Sequence, residues 1–319
     1  MSTVLVTGAS GFIGRRLLQA GTRAMVHRAL PAPASAADSV IADVTCIETL
    51  AAACRGIDTI FHCAGYAHAF TSASAERHYQ VNQQGTCNLL QAAAEAGVRR
   101  FVHLSSVKAM AEPGCDCVDE DWPGAPLTDY GRAKRAAEQA VLQAGAQHGM
   151  HVVNLRLSMV YGHGGRGNLE RMARAVAQGW FPPLPDTGAR RSLVHVDDVV
   201  RVMRLVASQS QANGKTYIVS ASESYTTRQL YDALRSALGL APRRWQVSPR
   251  LLRAAGRIGD GLGAALGRTL PLNSEVLSRL LDPACYSAAR LQHDLQWRSS
   301  VSLAEGLQEM LGSPGEAAA

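Results

Sequence analysis

Short apolar, β-branched runs alternate with longer Ala/Leu-rich stretches through the first half of the chain. The pattern predicts strands at residues 3–6, 22–27, 58–63, 100–104 and 151–157, with helices over 14–20, 77–96 and 130–147 among those between them. Strands that alternate with helices in this way build a parallel sheet covered on both faces. The strands read as nearly continuous apolar runs because both faces are buried, and their length and flanking glycines separate them from helix ends. After Tyr161 the alternation stops. A glycine-rich loop at 163–168 and three of the thirteen prolines at 181–185 lead into a helix over 169–178, a strand over 217–220, a helix over 227–238 and a looser tract over 249–272. The expected architecture is α/β, a doubly wound parallel sheet with a smaller C-terminal substrate-binding lobe. Residues 1–165 form the sheet domain, 166–313 the lobe interleaved with the last sheet elements, and 314–319 a Gly/Ala/Glu tail that frays. No internal repeat is present.

The 319 residues suffice for a full core, and 47% hydrophobic with 18% charged residues at near-zero mean hydropathy exclude a disordered chain, a collagen-like fibre and an integral membrane protein. The formal net charge is +6, yet no run of five basic residues resembles a nucleic-acid arm; the mild excess suits an anionic small molecule. The seven scattered cysteines do not read as a disulfide framework, and no spacing resembles a zinc site or other metal centre, which points to a reducing compartment. Residues 1–7 already read as a strand, with no basic segment and apolar run ahead of a cleavage site, so a cytoplasmic location is expected.

Gly8, Gly11 and Gly14, spaced three apart, join the first strand to the first helix. Glycines let the turn tighten and the backbone approach a diphosphate, whose charge meets the N–H groups and dipole at the helix start; Phe12 and Ile13 lie in the same loop. The acid that ordinarily holds a ribose 2′-hydroxyl at the end of the second strand is missing, and Arg28 stands there instead. A guanidinium suits a 2′-phosphate, which tilts the choice between NAD and NADP towards NADP; a solvated surface arginine is the competing reading.

Tyr130 and Lys134 stand at i and i+4, on one face of the third of these helices. A phenol of reference pKa about 10 is a poor base at neutral pH, but an adjacent ammonium favours the phenolate. Ser106 stands at the end of the strand begun at residue 100, at the carboxyl edge where open sheets bind ligands, and its hydroxyl suits the substrate oxygen that Tyr130 protonates or deprotonates.

Gly8-x-x-Gly11-x-x-Gly14, Asp43-Val44, His62-Cys63-Ala64-Gly65, Val81 to Thr86, Ser105-Ser106 and Tyr130-x-x-x-Lys134 follow one another in the order of the extended short-chain dehydrogenase/reductases. The chain resembles their NAD-dependent epimerase/dehydratase family of nucleotide-sugar enzymes over residues 3 to about 205, more weakly at 286–297. The resemblance implies a Rossmann fold in which Asp43 and Val44 contact adenine, Ala64, Gly65 and Asn82 line the dinucleotide, and Lys134 also holds the nicotinamide ribose. Tyr130 is then the acid/base and Ser106 its partner on the sugar hydroxyl. Val160-Tyr161-Gly162, Asn168-Leu169 and the segment 191–198 are similar to family segments that carry the nucleotide diphosphate, so Arg191 meets phosphate and Asn168 fixes the nucleotide side. His195 and Arg156 read as structural.

Two functions fit: epimerisation through a keto intermediate, and one-way reduction of a nucleotide 4-keto-sugar by NADPH. A non-catalytic dinucleotide sensor is a third class, disfavoured because Tyr130 and Lys134 are both present. No acid stands beside Ser106, as dehydration requires, and Ala109-Met110-Ala111 replaces the Val-Tyr-Gly of many sugar epimerases. Steroid-like ketone reduction is a further option, opposed by Arg191 and Asn168. The tract 249–272, with Arg250, Arg253, Arg257 and Arg268, reads first as a substrate lid, then as an amphipathic membrane-surface helix, then as a connector. The expected partners are a nucleotide sugar and a second copy, through a four-helix interface of 77–96 and 130–147, with no nucleic acid and no membrane counted among them.

Overall fold

The computed structural model describes residues 3–27, 38–67, 75–114, 116–165, 167–267, 270 and 273–312. Seven strands run parallel through the centre: β1 (Val4–Thr7), β2 (Thr22–Val26), β3 (Asp38–Ile41), β4 (Thr59–His62), β5 (Arg100–Ser106), β6 (His151–Leu157) and β9 (Lys215–Val219), in the order β3-β2-β1-β4-β5-β6-β9. This is the expected doubly wound sheet. Strand side chains alternate between two cores. Leu5, Met25, Ile60, Phe101 and Val152 face α2 (Leu50–Cys54), α4 (Gly85–Glu95) and α5 (Asp129–His148). Val6, Ala24, Phe61, Val102 and Val153 face α7 (Val196–Ser208) and α11 (Ala289–Leu295). The order reverses between β1 and β4, and the crevice at their carboxyl ends is where such sheets receive a ligand.

Two predicted helices are interrupted. The first helix, α1 (Gly14–Leu17), ends three residues early: Leu18 is extended, and Thr22 N–H donates to Gln19 O across a turn that Gly21 closes at φ +80°. Across 77–96, a short α3 (Ala75–His78) passes into a π-helical turn (Tyr79–Gln84) before α4, with Gly85 N–H reaching Gln80 O. Such turns concentrate at functional sites, and this one carries Asn82.

The lobe has its own core around Leu169, Leu193, Leu230, Tyr231 and Leu307. A second sheet, absent from the sequence reading except as the segments 160–162 and 191–198, pairs β7 (Met159–Tyr161) parallel and β10 (Ser224–Thr226) antiparallel to β8 (Arg190–His195). Around it lie α6 (Asn168–Ala177), α8 (Thr227–Ala237), α9 (Pro249–Ala265), α10 (Ser274–Leu281) and α12 (Leu303–Leu311). The looser tract over 249–272 is therefore a helix through Ala265.

The cysteine reading needs correction: Cys117 and Cys285 form a disulfide across 168 residues. The backbones of Val118 and Tyr286 bridge, with Val118 N–H donating to Cys285 O and Ser287 N–H to Val118 O, and this brings the two thiols together. The lobe is thereby tied to the loop that follows β5.

Candidate active site

The crevice begins at Gly8, which takes φ +63° and approaches β4 so closely that a Cβ would lie 2.8 Å from Ala64 N. Gly11 N–H turns back to Gly8 O at 2.9 Å, and the loop enters the first turn of α1. Phe12 lies under the guanidinium groups of Arg15 and Arg16, while Ile13 is half-buried against the sheet core. A glycine cradle that opens on backbone N–H groups at the sheet's reversal point fits the diphosphate of a dinucleotide.

At the end of β3, Val44 is buried against α4, and the missing side chain of Gly85 admits it: a Cβ there would meet Val44 Cγ2 at 2.7 Å. Burial raises the Asp43 carboxyl, but hydrogen bonds from Thr45 N–H and Oγ1, both 2.8 Å, together with His27, hold it below its ordinary value. Asp43 therefore remains an ionised acceptor just beyond the end of β3. Arg28 lies outside the described residues.

Gly65 is flanked by Asn82 and Lys134, for a Cβ placed on it would stand 3.2 Å from Asn82 Oδ1 and 3.4 Å from Lys134 Nζ. Asn82 is buried and clamps the next peptide, accepting from Tyr66 N–H at 2.8 Å and donating to Tyr66 O at 2.9 Å. It shapes the crevice wall through Tyr66 rather than by offering its own amide. Behind it runs a continuous row of hydrogen bonds. Ala64 N–H donates to Thr7 Oγ1, Thr7 pairs with His62 Nδ1 at 2.7 Å, His62 Nε2 with Thr86 Oγ1 at 3.0 Å, and Thr86 donates to Asn82 O. Thr86 spends its hydrogen on Asn82 O and so accepts from His62 Nε2–H; burial takes the His62 pKa down to about 3, so the ring is neutral and its Nδ1 accepts from Thr7. His62 is thus a brace joining β1, β4 and α4.

Ser106, Tyr130 and Lys134 meet beside this wall. Ser106 Oγ accepts Lys108 N–H at 3.2 Å, fixing the turn after β5. Thr128 caps α5 by accepting Gly131 N–H, and Gly131 lets that helix press on the turn, since a Cβ there would lie 2.1 Å from Lys108 O. Tyr130 is thereby delivered to Ser106. Burial pushes the phenol above its ordinary value, and its hydrogen bond with Ser106 draws it back. The expected lowering by Lys134 is not what sets its value: the ammonium donates to Leu104 O at 2.8 Å, and its field falls on His62, Cys63 and His103. Burial brings Lys134 down to about 8, against the opposing field of Glu138. Glu138, one turn further on, accepts from Ser105 at 2.6 Å and from Arg156 Nε and Nη2 at 2.9 and 2.8 Å, bolting α5 to β5 and β6.

On the lobe side, Asn168 is exposed at the first position of α6. Arg191, on β8, donates through Nη2 to Asp282 O at 2.6 Å, and burial lowers its pKa. Its Nε is buried with no hydrogen-bond partner among the described residues, and Tyr286 Oη is in the same condition. The two groups and Glu112 act on one another electrostatically. His195 is buried, with Nε2 3.1 Å from Glu309, and caps α7 by accepting Asp197 N–H. Its cluster with Asp197 and Glu309 has Arg16 bonded to both acids, so it ties α1 to α7 and α12.

Sequence reasoning passed over three side chains here. Tyr286 carried no signal beyond its place in a weakly matching tail. Glu138 stands at i+4 from Lys134, a local signal that could have been read. His78 lies edge-on to the Tyr130 ring, with centroids 5.5 Å apart, and its Nδ1 is 3.2 Å from Tyr66 O.

Residues 4–220 match the NAD dependent epimerase/dehydratase family. The chain is similar to the UDP-glucose 4-epimerase of Vibrio cholerae, 27% identical over 322 residues, covering 96% of this chain and 94% of that protein. It is also similar to a 4-hydroxy-2-methyl-3-oxo-4-farnesyl-3,4-dihydroquinoline-1-oxide ketoreductase of Stigmatella aurantiaca, 30% identical with 82% and 80% covered. Among solved structures, MoeE5 in complex with UDP-glucose and NAD is similar at TM-score 0.75 and 26% identity, covering 97% of each chain.

Proposed function

The chain belongs to the NAD dependent epimerase/dehydratase family, and from that footing we propose that it is a nucleotide-sugar 4-epimerase acting through a keto intermediate. The observation that supports this reading is the division of the site: a Ser106–Tyr130 hydroxyl pair on the sheet side, and Arg191 Nε with Tyr286 Oη, both without a partner among the described residues, on the lobe side. Gly8, Gly11, Phe12, Ile13 and Gly14 hold the dinucleotide's diphosphate, Asp43 and Val44 its adenine, and Ala64, Gly65 and Asn82 its nicotinamide half. The dinucleotide, when bound, supplies hydride acceptance and return. Ser106 holds the sugar hydroxyl, and Tyr130 removes its proton and later returns it. The Lys134 ammonium, released from Leu104 O, binds the ribose and stabilises the phenolate. Arg191 retains the diphosphate while the sugar presents its other face, and Asn168 orients the nucleotide.

One-way reduction of a nucleotide 4-keto-sugar uses the same residues, and Arg28 favours it through NADPH. The separating experiment denatures freshly purified protein, identifies any released dinucleotide by mass, and follows UDP-glucose by NMR. Stoichiometric NAD together with appearance of UDP-galactose supports the epimerase. An empty protein that prefers NADPH, with no interconversion of UDP-sugars, removes it in favour of the reductase. We also read the protein as a cytoplasmic homodimer joined through α4 and α5, where Leu90, Ala94, Ala140 and Ala144 line a shallow groove; sizing that yields only a 33.9 kDa species overturns that assembly.

A further inference from the structure

Helix α9 has three sides rather than two. Leu252, Gly256, Gly259 and Gly263, spaced i, i+4, i+7 and i+11, are its buried residues, and α10 is the helix packed against it. The seam is tight: a Cβ on Gly256 would sit 2.7 Å from Leu277 Cδ1 and 3.2 Å from the Ser274 backbone. About 100° around the helix, at the same spacing, stand Leu251, Ile258 and Leu262. They are 66%, 63% and 53% exposed, and Leu266 continues the stripe at 58%. On the other flank of the seam Arg253 and Arg257 are exposed, with Arg250 at the helix start.

The surroundings extend this pattern. Trp245, in the connection leading into α9, is 56% exposed, next to exposed Arg243 and Arg244. Residues 240–266 hold five arginines and one acid, a net 5 − 1 = +4 out of the chain's +6. That acid, Asp260, accepts Ser274 N–H at the start of α10 and so caps the neighbouring helix.

We propose that α9 is an interfacial helix that docks the protein on an anionic phospholipid surface, its leucines and isoleucine entering the headgroup boundary and its arginines meeting lipid phosphates. A 17-residue helix is about 25 Å long, and no helix among the described residues is long and apolar enough to cross a membrane, so α9 lies along the surface. Charge selects the occupant: a second copy related by a two-fold axis would set this arginine cluster against itself, whereas an anionic bilayer neutralises it. An aromatic side chain beside the arginines, with apolar residues alongside, is the composition of interfacial helices. This surface is the part of α9 that is not packed on α10, and the proposal does not depend on the reaction assigned to the crevice.

The test is co-sedimentation of the full-length protein with phosphatidylcholine vesicles and with phosphatidylcholine/phosphatidylglycerol vesicles at low and high salt, read together with tryptophan emission. The wild type is expected to sediment at least about tenfold more with the anionic vesicles, with blue-shifted emission, and to come off in high salt. Ile258→Asp/Leu262→Asp and Arg250→Gln/Arg253→Gln/Arg257→Gln each reduce binding about tenfold or more, with circular dichroism and turnover unchanged. Equal wild-type sedimentation with both vesicle types, or none, overturns the proposal. So does binding untouched by both sets of substitutions. An apolar-face variant that changes the sizing profile but not vesicle binding assigns the face to protein association instead. If the substituted proteins misfold, the wild-type salt dependence and emission shift still decide.

Discussion

The two walls of the crevice handle their buried polar groups in opposite ways. On the sheet side, every member of the row from Ala64 through Thr7, His62 and Thr86 to Asn82 has a partner and both oxygens of Glu138 receive donors, the exception being His103 Nε2, stacked behind the row against His62. On the lobe side, Arg191 Nε and Tyr286 Oη are buried with no partner among the described residues. A buried polar group without a partner costs about 1–3 kcal/mol, and a fold tolerates that cost where a ligand restores the bond. The contrast teaches a division of labour. On the proposed function, the sheet side is the wall that would hold the reacting groups rigid in advance, as chemistry requires, and the lobe side the wall whose bonding capacity would be met by substrate.

If the division holds, the two walls respond differently to substitution. Tyr130→Phe removes the proton carrier from the rigid wall and leaves its packing, so kcat falls by about 10³-fold while KM and the dinucleotide complement stay within a few-fold. A variant that retains full turnover on a substrate of the wild type removes Tyr130 from the chemistry. Arg191→Leu acts on the other wall: KM for a nucleotide diphosphate sugar rises about 10- to 100-fold, the worth of a charged hydrogen bond, with a smaller change in kcat. A loss confined to kcat instead would place Arg191 with the reacting groups and dissolve the distinction.

Lys134 sharpens the comparison through pH. Its ammonium is the form that stabilises the phenolate, and burial places its pKa at about 8. Turnover in the dinucleotide-loaded protein therefore falls as pH rises through about 8, approaching tenfold per unit, and the limb disappears in Lys134→Met. Stability moves the opposite way. Between about 8 and the ordinary 10.5, the unfolded chain holds a proton that the folded chain has released, so raising pH across that window stabilises the fold. Parallel pH series of initial rates and of thermal midpoints separate the two effects; rates that stay flat to pH 10 remove Lys134 from proton chemistry.

Local order in the chain explains which of these features could be read in advance. Glycines at a strand-to-helix turn, a Tyr and Lys one helical turn apart, and a serine closing a strand all declare themselves within a few residues. Arg156 and Glu138 are 18 apart and belong to different elements, and Cys117 and Cys285 are joined only because distant backbones bridge. The strands β7 and β10 are three residues each, too short for alternation to show. Helix α9 hid for another reason. Its glycines lower intrinsic helix propensity, by about 1 kcal/mol each relative to alanine, yet Gly256 is what lets it seat against α10, and Gly259 and Gly263 lie buried along the same side. Tertiary packing decided that segment against its local preference. The phenol of Tyr130 differs from expectation for a related reason: spacing puts it on one face with Lys134, but it cannot show the burial that pushes the phenol above its ordinary value.

Tyr286→Phe is the finest cut between the walls. The phenol is buried beside Arg191 and bonds to nothing among the described residues, so deleting its hydroxyl removes no contact that holds the fold. Burial and the field of Glu112 keep its pKa above the ordinary value, so at neutral pH it is a neutral donor. If that donor waits for substrate, the variant raises KM about 3- to 10-fold, the range of one neutral hydrogen bond, leaves kcat nearly unchanged, and matches or exceeds the wild-type thermal midpoint, because an uncompensated buried hydroxyl has gone. If the hydroxyl instead has a structural role, the midpoint drops and KM does not move. Measured together, the two quantities tell whether the lobe's unpartnered atoms are held open for a ligand or belong to the frame.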